Sequence, residues 1–288
     1  MINNFFNISD LSKAQLLEIV NFKNDSISLQ DLNIGLIFEK YSTRTRLSFA
    51  VAISNLKGNC IDIKFEELNI SRNESFEDTF RAMNCYLDGI VYRTNDHQKL
   101  INASNYFKKP IINALSDISH PCQILSDLLT LQEHFGTLNC NILWMGDMNN
   151  VCFSLVEAVN LFENLHLTIC SPLSISKQIN WQLSSNVSIV ENLKQIDLKS
   201  IHCVMTDVFV SMNDVESSKK IETLRSYTVT SELMLETASN SIFMHCLPAN
   251  VGQEVNEDVF RSPKSIVWRQ AYNRMVAQKK LLQFIYQK

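Results

Sequence analysis

The chain has 288 residues, 45% of them hydrophobic, with 26 basic against 30 acidic side chains and a formal charge of −4. That length and apolar content exclude a disordered chain and fit two ordinary domains slightly better than one. With neither a basic excess nor a basic run, nucleic-acid binding is excluded as a class, and any anionic ligand must be met by locally placed cations.

Met1 to Asp10 carries no basic start and no long apolar run, and no later segment approaches the ~20 apolar residues of a membrane span. A cytoplasmic chain without signal peptide or anchor is expected. The eight Cys are scattered with no C-x-x-C pair, so they read as reduced core thiols. Only six Gly are present, so each one is informative.

Ser12 followed by Gln15 makes a capping box, and Leu11 with Leu16 a hydrophobic staple, so a first helix starts there. Asn33 to Phe38 reads as a strand and Thr43 to Leu56 as a helix. Gly89 to Tyr92 and Pro110 to Leu115 read as strands, and Gln123 to Phe135 has helical periodicity, with Gly136 placed to end it. Asn141 to Met145 is a strand, followed by a helix near Val151 to Phe162. Strands follow at His166 to Cys170, Ser188 to Val190, Ile201 to Met205 and Ser241 to His245, and Ser265 to Tyr286 is mostly helical. Alternating strands and helices predict α/β architecture: two doubly wound domains, each a mainly parallel sheet flanked by helices. The domain boundary is expected between Phe135 and Asn141.

Polar clusters fall just after the predicted strands. Ser42-Thr43-Arg44-Thr45-Arg46 follows Phe38, Arg93 follows Tyr92, and His120-Pro121-Cys122-Gln123 follows Leu115. Asp147-Met148-Asn149-Asn150 follows Met145, Asp207 follows Met205, and Cys246-Leu247-Pro248 follows His245. Ligands of open parallel sheets bind outside the carboxyl ends of strands, so six such clusters predict one cleft between two sheets. Singly, each has a plain alternative: an N-cap, a satisfied loop histidine, buried strand residues or a turn pair. The first cluster has the chemistry of a phosphate site, because a helix start offers free N–H groups and a positive dipole end, with hydroxyls and the planar Arg44 fork beside them. Arg46, one turn into the helix, reads as a structural ion-pair partner.

The stretch Phe38 to Arg46 resembles the carbamoyl-phosphate loop of the transcarbamoylases, and His120-Pro121-Cys122-Gln123 their H-P-x-Q motif. His245-Cys246-Leu247-Pro248 is similar to the H-C-L-P form of the ornithine carbamoyltransferases, and Asp207 to Met212 resembles their D-x-x-x-S-M loop. Gly146 to Asn150 and Asn273-Arg274 also fit. The resemblance covers nearly the whole chain.

It implies a carbamoyl-phosphate-binding domain over residues 1–135 plus 264–288, with the C-terminal helix packed back on it, and an ornithine-binding domain over 136–263. Ser42, Thr43, Arg44 and Thr45 would hold the phosphate with help from Arg93. Thr45, Arg93 and His120 would polarise the carbamoyl carbonyl, while Gln123 and the backbone carbonyl of Leu247 would hold the carbamoyl NH2 and Arg274 would close on the same group. Ornithine would be held by Asn150, Asp207, Ser211 and Met212, with Cys246 near the attacking amine in a positioning or proton-relay role. The resemblance further implies a homotrimer, with Asn69 reaching a neighbouring subunit's site. No cofactor and no metal are expected, since carbamoyl phosphate is already activated; a zinc set of His120, Cys122, His245 and Cys246 has no usual spacing.

Other acceptors are aspartate, putrescine and acylated ornithine. Aspartate would demand cations for a second carboxylate, whereas Asp207 suits an α-amine. A non-catalytic relative is a further alternative, and a dinucleotide-binding protein lacks its G-x-G-x-x-G. Two residues depart from the family pattern: Asn213 stands where Gly is usual, and Phe209 where Trp is usual. The chain is also somewhat short.

Overall fold

The structure, a computed structural model, describes residues 4–23, 26–172, 174, 181–210 and 217–287. It divides into two compact units, one of Met1–Leu129 with Asn273–Lys288 and the other of Thr130–Tyr272.

In the first unit, five strands form one sheet: β1 (Asn4–Phe5), β2 (Asn33–Phe38), β3 (Asn59–Lys64), β4 (Gly89–Arg93) and β5 (Ile111–Leu115). Their order is β1-β5-β4-β2-β3, and every pairing is parallel. The central strands β2 and β4 are buried along almost their whole length, as strands covered on both faces must be. The helices are α1 (Lys13–Asn21), α2 (Thr43–Asn55), α3 (Phe76–Tyr86) and α4 (His97–Tyr106). The predicted capping box at α1 is present: Ser12 N–H donates to Gln15 Oε1 and Gln15 N–H to Ser12 Oγ. Phe80, Tyr92, Leu100 and Phe107 lie in the core on one side of the sheet.

In the second unit, β6 (Asn141–Met145), β7 (His166–Cys170), β8 (Val187–Val190), β9 (Cys203–Thr206) and β10 (Ile242–His245) form a sheet ordered β10-β9-β6-β7-β8, again parallel throughout. Its helices include α6 (Asn150–Val159), α7 (Ser217–Leu224), α8 (Ser231–Glu236) and the short α9 (Glu257–Phe260). The division between the units falls inside two further helices, α5 (Pro121–Phe135) and α10 (Val267–Tyr286). Gly136, at φ +72°, ends α5 as expected.

In the first unit β1 lies at the sheet edge beside β5, and from β2 the chain builds outward to β3 and then the other way through β4 to β5. In the second it starts at the central β6 and builds to β7 and β8, then the other way through β9 to β10. The strand order therefore reverses between β2 and β4 in the first unit and between β6 and β9 in the second. Such switch points leave a crevice at the strands' carboxyl ends. No helix among the described residues is long and apolar enough to cross a membrane.

Candidate active site

The register of the first sheet sets Phe38 beside Arg93 and Arg93 beside Leu115. The segments leaving β2, β4 and β5 thus start side by side, which brings Ser42, Arg93 and His120 to one end of the sheet. Ser42 occupies the N-cap position of α2 but does not cap it; its hydroxyl instead accepts from Arg93 Nη1 at 3.0 Å. That bond spans the β2–β4 switch point and leaves the first-turn N–H groups of α2 without a side-chain acceptor, the arrangement that suits an anion. The half-buried Arg44 guanidinium makes no hydrogen bond to any described residue. Thr45 is buried, and its hydroxyl accepts from Arg274 Nη2, which α10 carries into this unit.

His120 is buried beside Arg93 and Arg274. Burial first, then those two positive charges, hold its pKa well below the ordinary 6.5. The ring is therefore neutral at pH 7, able to donate one N–H without carrying charge. Gln123 is fully buried on α5; its Nε2 donates to Asp127 Oδ1 at 2.8 Å, while Oε1 has no partner. A carboxylate can only accept, so Asp127 fixes the amide with its carbonyl oxygen open. Cys122 between them is inert, its thiol pushed up to about 12 by burial.

Glu39 ties this corner together. Its carboxylate accepts from Tyr92 Oη at 2.6 Å, Thr94 Oγ1 at 3.0 Å and Lys99 Nζ at 3.0 Å, and its N–H donates to Arg93 O. Burial and this carboxylate raise the Tyr92 pKa, so the phenol stays a donor. The expected structural role of Arg46 is present: it pairs with Asp62 and stacks over Phe38 at 4.6 Å.

The second unit repeats the scheme. Thr206 is flanked by Met145 and His245 across the sheet, so the segments after β6, β9 and β10 start together. Asp207 lies there, nearly buried, and accepts from Asn149 Nδ2 at 2.7 Å and from Cys246 Sγ at 2.9 Å. Asn149 Oδ1 meanwhile caps α6, accepting from Val151 and Cys152 N–H. One side chain thus anchors the helix start and orients the carboxylate across the β6–β9 switch point. Gly146, at φ +103°, admits the Phe209 ring, which would lie 2.8 Å from a Cβ there. Asp147 pairs with Lys220 at 2.8 Å.

Asp207, His245 and Cys246 form the one grouping among the described residues whose metal-ligating atoms lie within 4.8 Å of one another. Both His245 nitrogens are engaged: Nδ1 accepts from Leu247 N–H at 2.9 Å and Nε2 faces Glu254 Oε1 at 3.2 Å.

Of the predicted site residues, Ser42, Thr43, Arg44, Thr45, Arg93, His120, Gln123 and Arg274 belong to the first unit's cluster. Asn150, at the start of α6, Asp207, Cys246 and Leu247 belong to the second's. Asn69 is exposed on a 3-10 turn, and its side chain hydrogen-bonds to no other described residue. Ser211, Met212 and Asn213 lie outside the described residues. Sequence reasoning missed Asp127, Glu39 and the role of Asn149. The spacing of Asp127, four residues after Gln123 on a helix, was the available signal.

The carbamoyl-P binding domain of aspartate/ornithine carbamoyltransferase matches residues 3–133, and the Asp/Orn binding domain matches residues 138–285. The chain is 36% identical to the ornithine carbamoyltransferase of Psychrobacter cryohalolentis over 298 aligned positions, covering 99% of this chain and 97% of the relative. It is 37% identical to that of Aquifex aeolicus, covering 99% and 98%. The anabolic ornithine carbamoyltransferase of Campylobacter jejuni superposes with a TM-score of 0.88 at 31% identity, covering 99% of each chain. That of Pyrococcus furiosus gives 0.85 at 30% identity, covering 97% and 96%. Both domain matches follow the chain order of the two sheets whose strand ends carry these clusters, and the chain belongs to the aspartate/ornithine carbamoyltransferase family.

Proposed function

We propose that this carbamoyltransferase moves the carbamoyl group of carbamoyl phosphate to the side-chain amine of L-ornithine, giving L-citrulline and phosphate, as a cytoplasmic enzyme of arginine metabolism. The observation that carries the choice of acceptor is the Asp207 carboxylate, oriented by Asn149 and Cys246 at the strand ends of the second unit. An aspartate acceptor would need cations there, whereas an α-ammonium needs an acid.

The phosphate sits on the start of α2, with Ser42, Thr43 and Arg44 around it and Arg93 beside it. Thr45, Arg93 and neutral His120 donate to the carbonyl oxygen as it gains charge; one such donor is typically worth ~2.7–4 kcal/mol of barrier. Gln123 Oε1 and the Leu247 carbonyl accept from the carbamoyl NH2, and Arg274 closes on the same group. Ornithine is held by Asn150, Asp207, Ser211 and Met212. Its free amine attacks the carbonyl carbon, a C–N bond forms, and the C–O bond to phosphate breaks. Two acceptors suit the amine's surplus proton: Asp207 through the Cys246 thiol, and the departing phosphate. Alignment of two bound reactants supplies ~7–11 kcal/mol.

We also propose a homotrimer, with Asn69 serving a neighbouring subunit. The exposed Leu47 and Val51 of α2 and Ile61 of β3 support an apolar subunit contact on that side of the first unit.

The test is a citrulline assay with carbamoyl phosphate and L-ornithine, run in parallel with L-aspartate and putrescine. Citrulline from ornithine alone is expected. Turnover of aspartate or putrescine instead would reassign the acceptor, and no turnover of any amine by folded protein would leave a non-catalytic relative.

A further inference from the structure

Leu247 has φ +61°. The other described non-glycine residues with positive φ are Asp31, Lys57 and Asn73, all polar. A leucine in the left-handed region persists only where its surroundings over-determine it, and such residues gather at functional sites. At Leu247 the surroundings are a buried polar pair that the reaction described above does not use.

The N–H of Leu247 donates to His245 Nδ1 at 2.9 Å, so that nitrogen bears a lone pair and the ring proton is on Nε2. Nε2 faces Glu254 Oε1 at 3.2 Å, and the same oxygen accepts from Asn250 N–H at 2.5 Å. One carboxylate oxygen therefore holds both ends of the Leu247-to-Asn250 turn, through His245 at one end and directly at the other. The pair is itself anchored: His245 N–H donates to Gln270 Oε1 at 2.9 Å, and Glu254 O accepts from Val229 N–H at 2.9 Å. Both side chains are fully buried. Apolar side chains would fill that space with less desolvation; what the polar pair adds is direction.

We infer that His245 and Glu254 are positioning residues, which hold the turn after β10 so that the Cys246 thiol and the Leu247 carbonyl face the reactants. With both ring nitrogens engaged, His245 acts through Leu247 rather than on substrate. The kinetic part of this inference rests on the proposed carbamoyl transfer to ornithine; the conformational part does not.

The test uses His245→Leu, Glu254→Leu and His245→Asn in the full chain. The amide oxygen of the asparagine can take the place of Nδ1 and accept from Leu247, while the link to Glu254 is lost. Leaving the Leu247 N–H without its acceptor in His245→Leu, or the buried His245 Nε2–H without its acceptor in Glu254→Leu, should lower kcat roughly 10–100-fold, with His245→Asn within about threefold of the parent. A second readout needs no substrate: the rate at which iodoacetamide labels Cys246, followed by peptide mass mapping with exposed Cys85 as internal reference. That rate should shift about fivefold or more in the leucine variants and return in His245→Asn, with Cys85 unchanged. Unchanged kcat and labelling in the leucine variants would overturn the inference. So would a folded His245→Asn that behaves like His245→Leu, or unfolding of all three variants, which would assign the pair to stability. If the parent makes no citrulline, the acceptor reading fails while the labelling still judges the pair.

Discussion

Arg44, Arg93 and Arg274 occupy one corner of the first unit, but they are not equivalent. Arg93 is committed to Ser42 and Arg274 to Thr45, whereas Arg44 has no hydrogen bond to a described residue. It is the guanidinium with most to gain from a phosphate. A hydrogen bond to a charged group contributes about 1.5–3 kcal/mol, so Arg44→Ala should weaken carbamoyl-phosphate binding roughly 10–150-fold by titration calorimetry. Unchanged affinity would put the phosphate elsewhere. His120 makes a pH prediction. Its pKa is lowered by burial and by two arginines, so the unfolded chain takes up this proton before the folded one does. The stability linked to His120 is fully present above pH 6.5 and is lost as pH falls below it toward the lowered value. The melting temperature should therefore decline on acidification through this window, and less steeply in His120→Asn; an unaltered slope would contradict it. Gln123 was legible as a candidate site residue because its motif is local. Asp127 was not, because its effect is to leave one atom of another side chain open, which only the folded geometry shows.

At the scale of elements, both clusters rest on a helix start joined to a neighbouring strand end. In α2 the cap hydroxyl is given to Arg93; in α6 the cap residue serves helix and carboxylate together. The latter depends on Gly146, where a side chain would need both a left-handed backbone and the space filled by Phe209. Gly146→Ala should destabilise the second unit by about 1–3 kcal/mol, read in urea unfolding. A variant as stable as the parent would mean that Phe209 yields freely. Strands with strong apolar runs were readable, and β2, β6 and β7 fall on the expected residues. The expected elements omit β1, β3, α3 and α4 in the first unit and α7, α8 and α9 in the second. Strand β3 is exposed along nearly its whole length at the sheet edge, so burial imposes no apolar run on it. Helix α4 buries little besides His97, Leu100 and Ala103, too few to mark a stripe. Helix α3 does carry Phe76, Phe80 and Met83 at helical spacing, among many polar residues.

For the whole molecule, alternation of strands and helices sufficed to predict parallel sheets, because only that connection returns the chain in the same direction. The division of six polar clusters into three per sheet follows from strand order, which alternation does not specify. Assembly is a further whole-molecule property. If the exposed apolar residues of α2 and β3 are covered by a second copy, Leu47→Asp should shift the mass by light scattering from three chains to one. A parent that is already monomeric, or a variant that stays trimeric, would remove that surface from the assembly. The scarcity of glycine bears on the denatured chain as well as the native one. Lys57 closes α2 at φ +64° where glycine would be unstrained. A side chain there costs roughly 1–2 kcal/mol in the native state. It also restricts the unfolded ensemble, which offsets only ~0.4–1 kcal/mol. Lys57→Gly should accordingly raise the melting temperature by about 1–2 °C, so the parent chain stands below the stability its own backbone permits.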